Sequence, residues 1–419
     1  MASRAETAKL TRVNAKEQLE ALRRGTVDLQ VEEDLLKRLE EGRPLRVKAG
    51  FDPTRPDLHL GHSVLLQKMR AFQDLGHEIY FVVGDFTARI GDPSGKSATR
   101  SVPTEEEIRE GARTYAEQAF KILDPDRTHV VYNSTWLSSL NLADVIHLAG
   151  KYRLARMMER DDFKKRWNEN QSISIHELLY PLVQAYDSIH LKADVELGGT
   201  DQLFNLMVGR DLMREYGLRP QCVMTTPILE GLSARVEGGV LVGDKMSKSL
   251  DNYVGLDEPP EAQFGKLMSV SDELMWRYYE LLSSLDDSEL KARKAQVARG
   301  ELHPKRAKAD LALELVSRYH SREAALEAER KWEAQFSRRE VPEDLPLYEA
   351  DVGEQGSLPL FRVIADAGLV PSGSEARRRI KAGAVEIDGE KNTDERATLS
   401  PGEYIIKAGK RAWAKVILR

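Results

Sequence analysis

Two histidines three residues apart follow the first apolar, β-prone run of the chain. His59 and His62 stand on either side of Gly61, at the start of a segment with helical periodicity. The first turn of a helix presents unpaired backbone N–H groups and the positive end of the helix dipole, and both attract an anion. The spacing therefore predicts a cradle for the phosphates of a nucleotide, with the glycine leaving room for a flat ring. A zinc-binding histidine pair and two capping or buried core histidines remain as alternatives.

A second candidate is the basic hexapeptide DKMSKS at residues 244–249. Its two lysines, Lys245 and Lys248, are three residues apart, and glycines lie on both sides of the segment. A mobile loop of this kind can close on a polyphosphate and stabilise the negative charge that moves onto a leaving group. A solvated Lys/Ser loop is the alternative explanation of this segment taken alone.

A polar face is predicted on one otherwise apolar helix. Tyr180, Gln184 and Asp187 recur at intervals of four and three residues, which places them on one side of a helix. Buried polar groups left unpaired cost about 1–3 kcal/mol each, so a small polar ligand or an internal polar network must satisfy them. The turn GGTDQ at residues 198–202 adds a carboxylate suited to a ribose diol.

The segment GDPSGKS at residues 91–97 looks like a phosphate-binding P-loop, but its spacing argues against one. Three residues separate its glycines where the P-loop has four, and Asp92 and Pro93 stand where backbone N–H donors would have to converge. Asp92 is instead predicted to be a carboxylate for the ammonium group of a ligand.

These segments are distributed along an alternation of strands and helices. Candidate strands are LRVKAGF (45–51), IYFVVGDF (79–86), HVVYNSTW (129–136) and CVMTTPIL (222–229), with helical periodicity between the first two. This order predicts an α/β fold with a Rossmann-like parallel sheet covered by helices. Ligands of such sheets bind at the carboxyl ends of the strands, so the loops after the strands are the expected site of chemistry.

Composition divides the chain into five segments. Residues 1–44 are a polar, helical lead-in, 45–254 the Rossmann-like domain, 255–340 an all-helical domain, 341–357 a linker, and 358–419 a small α+β module. The last segment has twelve Lys and Arg against eight Asp and Glu, a net charge of +4 that leaves −10 on the remainder. A basic module on an acidic body is suited to binding an anionic polymer.

The overall composition is that of an ordinary globular protein. Of its residues 41% are hydrophobic and 31% are charged, and no run of about 18 apolar residues occurs. These values exclude a largely disordered chain and a membrane-spanning segment, and the charged residues among 1–10 predict no secretory signal. The single cysteine, Cys222, cannot form an internal disulfide, and it fits a reducing, cytoplasmic location.

Together, the histidine and lysine motifs resemble the signature pair of the class I aminoacyl-tRNA synthetases. Five longer strings are similar to bacterial tyrosyl-tRNA synthetases of the second bacterial subfamily, which carries KMSKS: KAGFDPTRPDLHLGH, GDFTARIGDPSG, YPLVQAYDS, DVELGGTDQLFN and DKMSKSLDN. The tail SLPLFRVIADAGLVPSGSEARRRIKAGAVEIDGE resembles a small RNA-binding module of a ribosomal protein. The resemblance covers the chain from about residue 40 onward.

The resemblance implies a tyrosine–tRNA ligase, which activates L-tyrosine with ATP and transfers it to the terminal adenosine of its tRNA. The implied catalytic residues are His59, His62, Lys245 and Lys248. The implied ATP-binding residues are Thr54, Gly61, Asp201, Gln202, Met246, Ser247 and Ser249. The implied tyrosine-binding residues are Lys48, Thr87, Asp92, Asn133, Tyr180, Gln184 and Asp187. Candidate RNA contacts in the tail, which a solvated face also explains, are Arg377, Arg378, Arg379 and Lys381.

Within the implied tyrosine pocket, Asp187 accepts from the phenolic hydroxyl, and Asp92, Tyr180 and Gln184 bind the ammonium group. One position departs from the pattern. Lys48 stands where many members have a tyrosine that also contacts the substrate hydroxyl. Either hydroxyl recognition is shared differently in this chain, or Lys48 pairs with Asp187.

The implied partners are ATP, L-tyrosine, tRNA(Tyr) and a second copy of the chain, and neither a membrane nor DNA is expected. Mg²⁺ is expected to be held mainly by phosphate oxygens, because no dedicated cage of acidic residues is visible in the sequence. Two hypotheses compete: an RNA-binding regulator that keeps the synthetase body, and a related nucleotidyltransferase with the histidine motif. The regulator has little need of both signature loops, and the nucleotidyltransferase has no use for the tail.

Overall fold

The structure is a computed structural model that describes residues 13–53, 57–93, 104–337, 345–353, 356–388, 390–409 and 412–419. Contacts between residues divide the chain into two compact units, Met1–Glu329 and Arg330–Arg419. None of the helices in the described ranges has both the length and the apolar character needed to cross a bilayer.

The first unit is built on a six-stranded sheet. Its strands are β1 (Leu29–Gln30), β2 (Arg46–Phe51), β3 (Glu78–Val83), β4 (Thr128–Tyr132), β5 (Val195–Gly199) and β6 (Cys222–Thr226). The order across the sheet is β1-β6-β5-β2-β3-β4, and every pair is parallel except β1 with β6. The predicted α/β fold with a parallel sheet is confirmed.

Helices connect these strands. They are α1 (Ala15–Arg23), α2 (Glu32–Glu40), α3 (Leu60–Asp74), α4 (Glu105–Ala119), α5 (Ser134–Leu137), α6 (Leu142–Gly150), α7 (Leu154–Met157), α8 (Asp161–Asn168), α9 (Ile175–Leu191) and α10 (Leu203–Glu215). Four of the six residues of β2 are buried, as in a strand that is covered on both faces. The helix α3 follows β2, so its first turn lies beyond the carboxyl end of a central strand.

The lead-in and one predicted strand differ from the sequence expectation. Residues 1–44 were expected to be helical, but β1 lies within them, because the outer edge of β6 has backbone groups that an extended segment can pair. The predicted strand 129–136 ends at Tyr132, and Trp136 belongs to the short helix α5. Neither difference follows from local periodicity, since both depend on what lies beside the segment.

A hairpin and a run of helices follow β6. The hairpin strands are β7 (Arg235–Glu237) and β8 (Val240–Val242), joined by Gly238 and Gly239, which both have positive φ as a tight hairpin turn requires. The helices are α11 (Pro260–Ser269), α12 (Asp272–Leu282), α13 (Asp287–Ala298), α14 (Pro304–Tyr319) and α15 (Arg322–Ser337). Helix α14 has an apolar face on which Leu311, Leu315 and Val316 are fully buried.

The second unit contains a five-stranded sheet and two helices. Its elements are β9 (Leu347–Ala350), β10 (Leu358–Pro359), α16 (Leu360–Asp366), α17 (Gly373–Lys381), β11 (Val385–Ile387), β12 (Glu390–Asn392), β13 (Thr398–Leu399), β14 (Gly402–Ala408) and β15 (Ala412–Leu418). The larger sheet has the order β12-β11-β14-β15-β9. The interpretation of 341–357 as a linker is wrong at β9, because this strand pairs in parallel with β15 and completes the sheet.

Candidate active site

The two histidines cap the first turn of α3. The backbone N–H of Gly61 donates to Nδ1 of His59 at 3.2 Å, and the backbone N–H of His59 donates to Nδ1 of His62 at 3.1 Å. Because each Nδ1 accepts a hydrogen bond, a neutral imidazole must carry its proton on Nε2. Each ring therefore keeps one N–H donor for a ligand, so the capping role does not exclude a role in phosphate binding.

The close packing of this turn explains the glycine between the histidines. The ring centroids of His59 and His62 are 3.9 Å apart. A Cβ atom on Gly61 would lie only 2.9 Å from Cε1 of His59, which is closer than van der Waals contact allows. Any larger residue at position 61 would displace the His59 ring.

Burial keeps both imidazoles uncharged at neutral pH. Desolvation, reinforced by Lys245 and Lys248, lowers the pKa of His62 to about 3. Desolvation and the neighbouring His62 hold the pKa of His59 well below its usual value. The histidines are therefore neutral hydrogen-bond donors in this structure, and the positive charge of the site resides on the lysines.

Backbone hydrogen bonds hold the segment after the basic loop against the histidine turn. The N–H of Leu60 donates to the carbonyl of Val254, and the N–H of Leu256 donates to the carbonyl of Leu58, both at 2.9 Å. Inside the loop, buried Met246 donates from its N–H to the carbonyl of Leu229 at 2.8 Å. The two motifs, far apart in sequence, are thus joined in the fold.

One lysine of the loop contacts a predicted site residue, and the other contacts Tyr115, which the sequence analysis missed. Nζ of Lys245 lies 2.7 Å from a carboxylate oxygen of Asp201. Nζ of Lys248 lies 3.5 Å from the hydroxyl of Tyr115 and 5.4 Å from the centre of its ring. Ser247 and Ser249 are the two serines of the loop, and their hydroxyl oxygens are 2.9 Å apart.

A chain of hydrogen bonds joins five polar side chains beyond the carboxyl ends of β2 and β3. The amide of Asn133 donates to Asp187 at 3.3 Å and to the hydroxyl of Thr87 at 3.1 Å. Thr87 donates to one carboxylate oxygen of Asp52 at 2.7 Å, and Tyr180 donates to the other at 2.8 Å. The fold therefore brings together Thr87, Asn133, Tyr180 and Asp187, four of the residues that the resemblance implies for the tyrosine pocket.

Asp52 is a site residue that the sequence analysis did not single out. It follows β2 directly and is half-buried between two donors, and desolvation raises its pKa to about 7. Its position after a central parallel strand was a usable signal. Trp136 was also missed: its indole Nε1 donates to Asp187 at 2.8 Å. Burial raises the pKa of Asp187 to about 6, although Lys48 and Trp136 oppose the shift.

Lys48 pairs with Glu196 and not with Asp187. Its Nζ lies 2.8 Å from Oε1 of Glu196, and both side chains are almost completely buried. The two residues are register partners in the adjacent strands β2 and β5, so the sheet itself sets their separation. The alternative in which Lys48 pairs with Asp187 is therefore wrong, because a carboxylate on the neighbouring strand is nearer.

A second cluster surrounds Asp92. Gln202 donates to Oδ2 of Asp92 at 2.7 Å, and Asn205 donates to Gln202 at 3.0 Å. Arg160, which the sequence analysis missed, is buried with its guanidinium 3.5 Å from Oδ1 of Asp92 and 2.7 Å from Asp162. The cluster places Asp92, an implied ligand of the ammonium group, beside Gln202 of the GGTDQ turn, an implied ATP-binding residue.

One predicted site residue, Thr54, lies outside the described residues. The four tail residues are all described, but their surroundings differ. Arg377 stacks on Phe361 with its guanidinium 4.0 Å from the ring centre, and Arg379 donates to the backbone of β14 at 3.0 Å. The side chains of Arg378 and Lys381 are each 78% exposed. Arg379 therefore has a structural contact, whereas Arg378 and Lys381 are accessible to a ligand.

Comparisons with known proteins identify the family to which the chain belongs. Residues 40–337 match the family described as tRNA synthetases class I (W and Y), and residues 339–415 match the SYY-like C-terminal domain of tyrosine–tRNA ligase. A tyrosine–tRNA ligase from Oleidesulfovibrio alaskensis is 54% identical over 403 residues, which cover 96% of this chain and 99% of that protein. A tyrosine–tRNA ligase from Coxiella burnetii is 52% identical over 405 residues, with the same coverage of both chains.

The fold is also similar to that of solved structures. The crystal structure of tyrosyl-tRNA synthetase from Archaeoglobus fulgidus, complexed with L-tyrosine, aligns with a TM-score of 0.60 and 26% identity. The alignment covers 75% of this chain and 99% of that chain.

Proposed function

Because the chain belongs to the class I tyrosyl-tRNA synthetases and charges tRNA with tyrosine, we propose that the start of α3 and the 244–249 loop form its ATP site. The Nε2–H groups of His59 and His62 donate to the phosphates, and Gly61 gives the nucleotide room to approach. Asp201 binds the ribose diol. The ammonium groups of Lys245 and Lys248 bind the two terminal phosphates. The joining of the two motifs by backbone hydrogen bonds is the observation that carries this assignment.

The chemistry suits these residue types. The tyrosine carboxylate is already an anion, so its oxygen attacks the α-phosphorus without a general base, and the bond to pyrophosphate breaks. A hydroxyl of the terminal adenosine of tRNA then attacks the tyrosyl carbonyl, and AMP leaves. The protein supplies alignment and positive charge where pyrophosphate develops, and both are worth most in the transition state.

Magnesium enters this reaction with the nucleotide. The described ranges contain no group of three or more His, Cys, Asp or Glu side chains placed to hold a metal ion. We assign Mg²⁺ to the phosphate oxygens of ATP, where it would neutralise negative charge. Lys245 and Lys248 would bind the same phosphates.

The hydrogen-bonded chain from Asp187 to Tyr180 forms the tyrosine pocket. Asp187 accepts from the phenolic hydroxyl, and Asn133 and Trp136 orient its carboxylate. At the other end the ammonium group is bound by Asp52, Asp92 and the polar face of α9. This arrangement places the substrate carboxyl beside Gln202, on the side of the ATP site.

Tyrosine binding should strengthen as pH rises towards 7. Asp52 has a pKa of about 7 in the ligand-free protein, so below that pH it is protonated and binds an ammonium group poorly. The dissociation constant should fall by up to about tenfold per unit between pH 5.5 and 7 and then level off. Calorimetric titration of L-tyrosine across this range measures the effect. Asp187, with a pKa of about 6, contributes to the slope below about pH 6, because its carboxylate accepts from the phenolic hydroxyl. The Asp52→Asn variant should therefore lose the slope between about pH 6 and 7, and retention of the full slope in that interval would contradict the role of Asp52.

The protein is proposed to act as a homodimer through an apolar surface on α6–α9. Helices α6 to α9 pack around one buried cluster, yet five large apolar side chains of this region are exposed. They are Leu142, Ile146, Leu154, Trp167 and Ile175, each between 63% and 79% exposed. Exposed apolar groups at this density are typical of protein interfaces.

Replacement of Ile146 by glutamate should convert this dimer to monomer, because a buried unpaired carboxylate opposes association. Sedimentation velocity measures the change. The matched control is Val240→Glu, which introduces the same charge at the 64% exposed hairpin strand β8 and should stay dimeric. A dimeric Ile146→Glu protein would place the interface elsewhere.

We also propose an RNA-binding surface in the tail and a cytoplasmic location for the protein. Arg377, Arg378 and Lys381 contact tRNA phosphates, and the reaction takes place in the cytoplasm, where the single cysteine stays reduced. The Rossmann-like domain at 45–254 carries activation, the helical domain at 255–340 lies towards the anticodon, and the module at 358–419 binds RNA.

Exchange of labelled pyrophosphate into ATP tests the activation step directly. With each of the twenty amino acids and no tRNA, strong exchange is expected with tyrosine alone. Exchange with another amino acid would keep the ATP site and overturn the assignment of Asp187. The absence of exchange with every amino acid would favour the RNA-binding regulator.

A further inference from the structure

The buried carboxylate of Glu196 lies behind the tyrosine pocket and accepts from four donors. Nζ of Lys48 is 2.8 Å from Oε1, and Nε2 of Gln184 is 3.3 Å from the same oxygen. Ser188 donates to Oε2 at 3.1 Å, and Nε2 of Gln221 also donates to Oε2. Donors from β2, from α9 and from the residue before β6 thus converge on one carboxylate of β5 that the reaction itself does not use.

The contact with Gln184 fixes the orientation of its amide. A carboxylate oxygen attracts the NH₂ end of an amide and repels the carbonyl end, so Nε2 must face Glu196. The carbonyl oxygen Oε1 of Gln184 then points away from Glu196. It is buried, and within the part of the chain that the structure describes it has no hydrogen-bond partner.

A buried acceptor without a partner indicates that a donor is missing. Leaving such a group unpaired is unfavourable, and an ammonium group supplies a charged donor for it. Gln184 lies on α9, one helical turn after Tyr180, and the hydroxyl of Tyr180 contacts Asp52. Asp187, one turn further along α9, is assigned to the phenolic hydroxyl, so in the proposed pocket the Gln184 oxygen is left as an acceptor for the ammonium group.

We propose that Glu196, with its strand neighbour Lys48, is a positioning pair that holds the Gln184 carbonyl oxygen towards the ammonium group of the substrate. This inference rests on the proposed tyrosine pocket. Lys48 neutralises the buried carboxylate of Glu196, and the pairing of β2 with β5 fixes the distance between the two side chains. Glu196 can therefore orient the Gln184 amide without placing a net charge beside Asp187. Neither residue contacts the substrate in this role.

Two double variants isolate the orienting contact. Lys48→Met/Glu196→Gln and Lys48→Met/Glu196→Met both remove the buried charges, but only the first keeps an oxygen at position 196 that can accept from Gln184. The ligands are L-tyrosine, tyramine, which keeps the ammonium group, and 3-(4-hydroxyphenyl)propionate, which lacks it. Calorimetry on the full chain gives the dissociation constant of each ligand.

The Met/Met variant should bind L-tyrosine and tyramine about 10- to 100-fold more weakly than the Met/Gln variant. The two variants should bind 3-(4-hydroxyphenyl)propionate equally within about twofold, because this ligand makes no ammonium contact. A merely structural role would weaken all three ligands together, and either that pattern or equal tyrosine binding by both variants would overturn the inference.

A replacement variant and the unsubstituted protein serve as controls. If the Met/Met variant does not fold, Lys48→Met/Glu196→Leu replaces it, since leucine also offers no acceptor. The unsubstituted protein separates the inference from its premise: no binding of tyrosine there refutes the proposed pocket itself. Tyrosine binding without the difference between the variants refutes only the role of Glu196.

Discussion

Replacement of Lys248 by alanine should slow formation of tyrosyl-adenylate by about 10²- to 10³-fold, because one preorganised cationic donor to the departing pyrophosphate is lost. The dissociation constant of tyrosine should change less than twofold, since Lys248 lies on Tyr115, which is not among the residues proposed to bind tyrosine. Rapid-quench measurement of a single turnover, at saturating ATP and tyrosine, gives the rate of the chemical step directly.

A matched control is available in the same region. Lys266 lies over the ring of Tyr253, beside His59, but its ammonium group pairs with Glu258. Lys266→Ala removes a similar charge near the histidine turn and should change the single-turnover rate less than about threefold. If both variants slow the reaction equally, general electrostatics and not the loop would explain the loss. An unchanged rate for Lys248→Ala would refute the assignment of the loop.

The positions of the loop lysines suggest an order of events. Without ATP, Lys245 is paired with Asp201, the proposed ribose ligand, and Lys248 lies on Tyr115. A ribose that binds Asp201 competes with Lys245 for the carboxylate. If Asp201 binds the ribose as proposed, binding of the nucleotide would release Lys245 as the phosphates enter the site, and the loop would act on the transition state after this exchange.

Local patterns predicted the parts of the site that depend on adjacent residues. The histidines are at the start of α3 because an N-terminal capping position, a glycine and a helical period are all encoded within a few residues. The polar face of α9 follows from spacing in the same way. The parallel sheet follows from the alternation of strands and helices, which leaves few topologies open.

Contacts between strands that are far apart in the sequence could not be predicted from local patterns. Lys48 and Glu196 meet only because β2 and β5 are neighbours in the sheet order, and no local signal links them. The strands β1 and β9 were missed for the same reason, since each completes the edge of a sheet formed elsewhere in the chain. Asp52 lies within the string KAGFDPTRPDLHLGH, but its role depends on contacts with Tyr180 and Thr87, which belong to other elements.

Removal of the basic module should separate the two steps of the reaction. A chain ending at Ser337 should form tyrosyl-adenylate within about threefold of the normal rate, because the proposed ATP and tyrosine sites lie within the first unit. The kcat/KM for charging of tRNA should fall by about 100-fold or more, since several phosphate contacts are lost. A cut at residue 355 would leave β9 without β15, so Ser337, the end of α15, is the cleaner boundary.

Charge substitutions in the full chain serve as the matched control for this truncation. Arg377→Ala, Arg378→Ala and Lys381→Ala, combined in one protein, remove the candidate phosphate contacts while Arg379 keeps its bond to β14. This variant should lose about 10- to 50-fold in charging, and its dependence on salt should weaken by about one unit of slope per residue. A truncated chain that charges tRNA normally would refute the role of the module. A truncation defect without any effect of the three substitutions would place the RNA contacts on another face of the module.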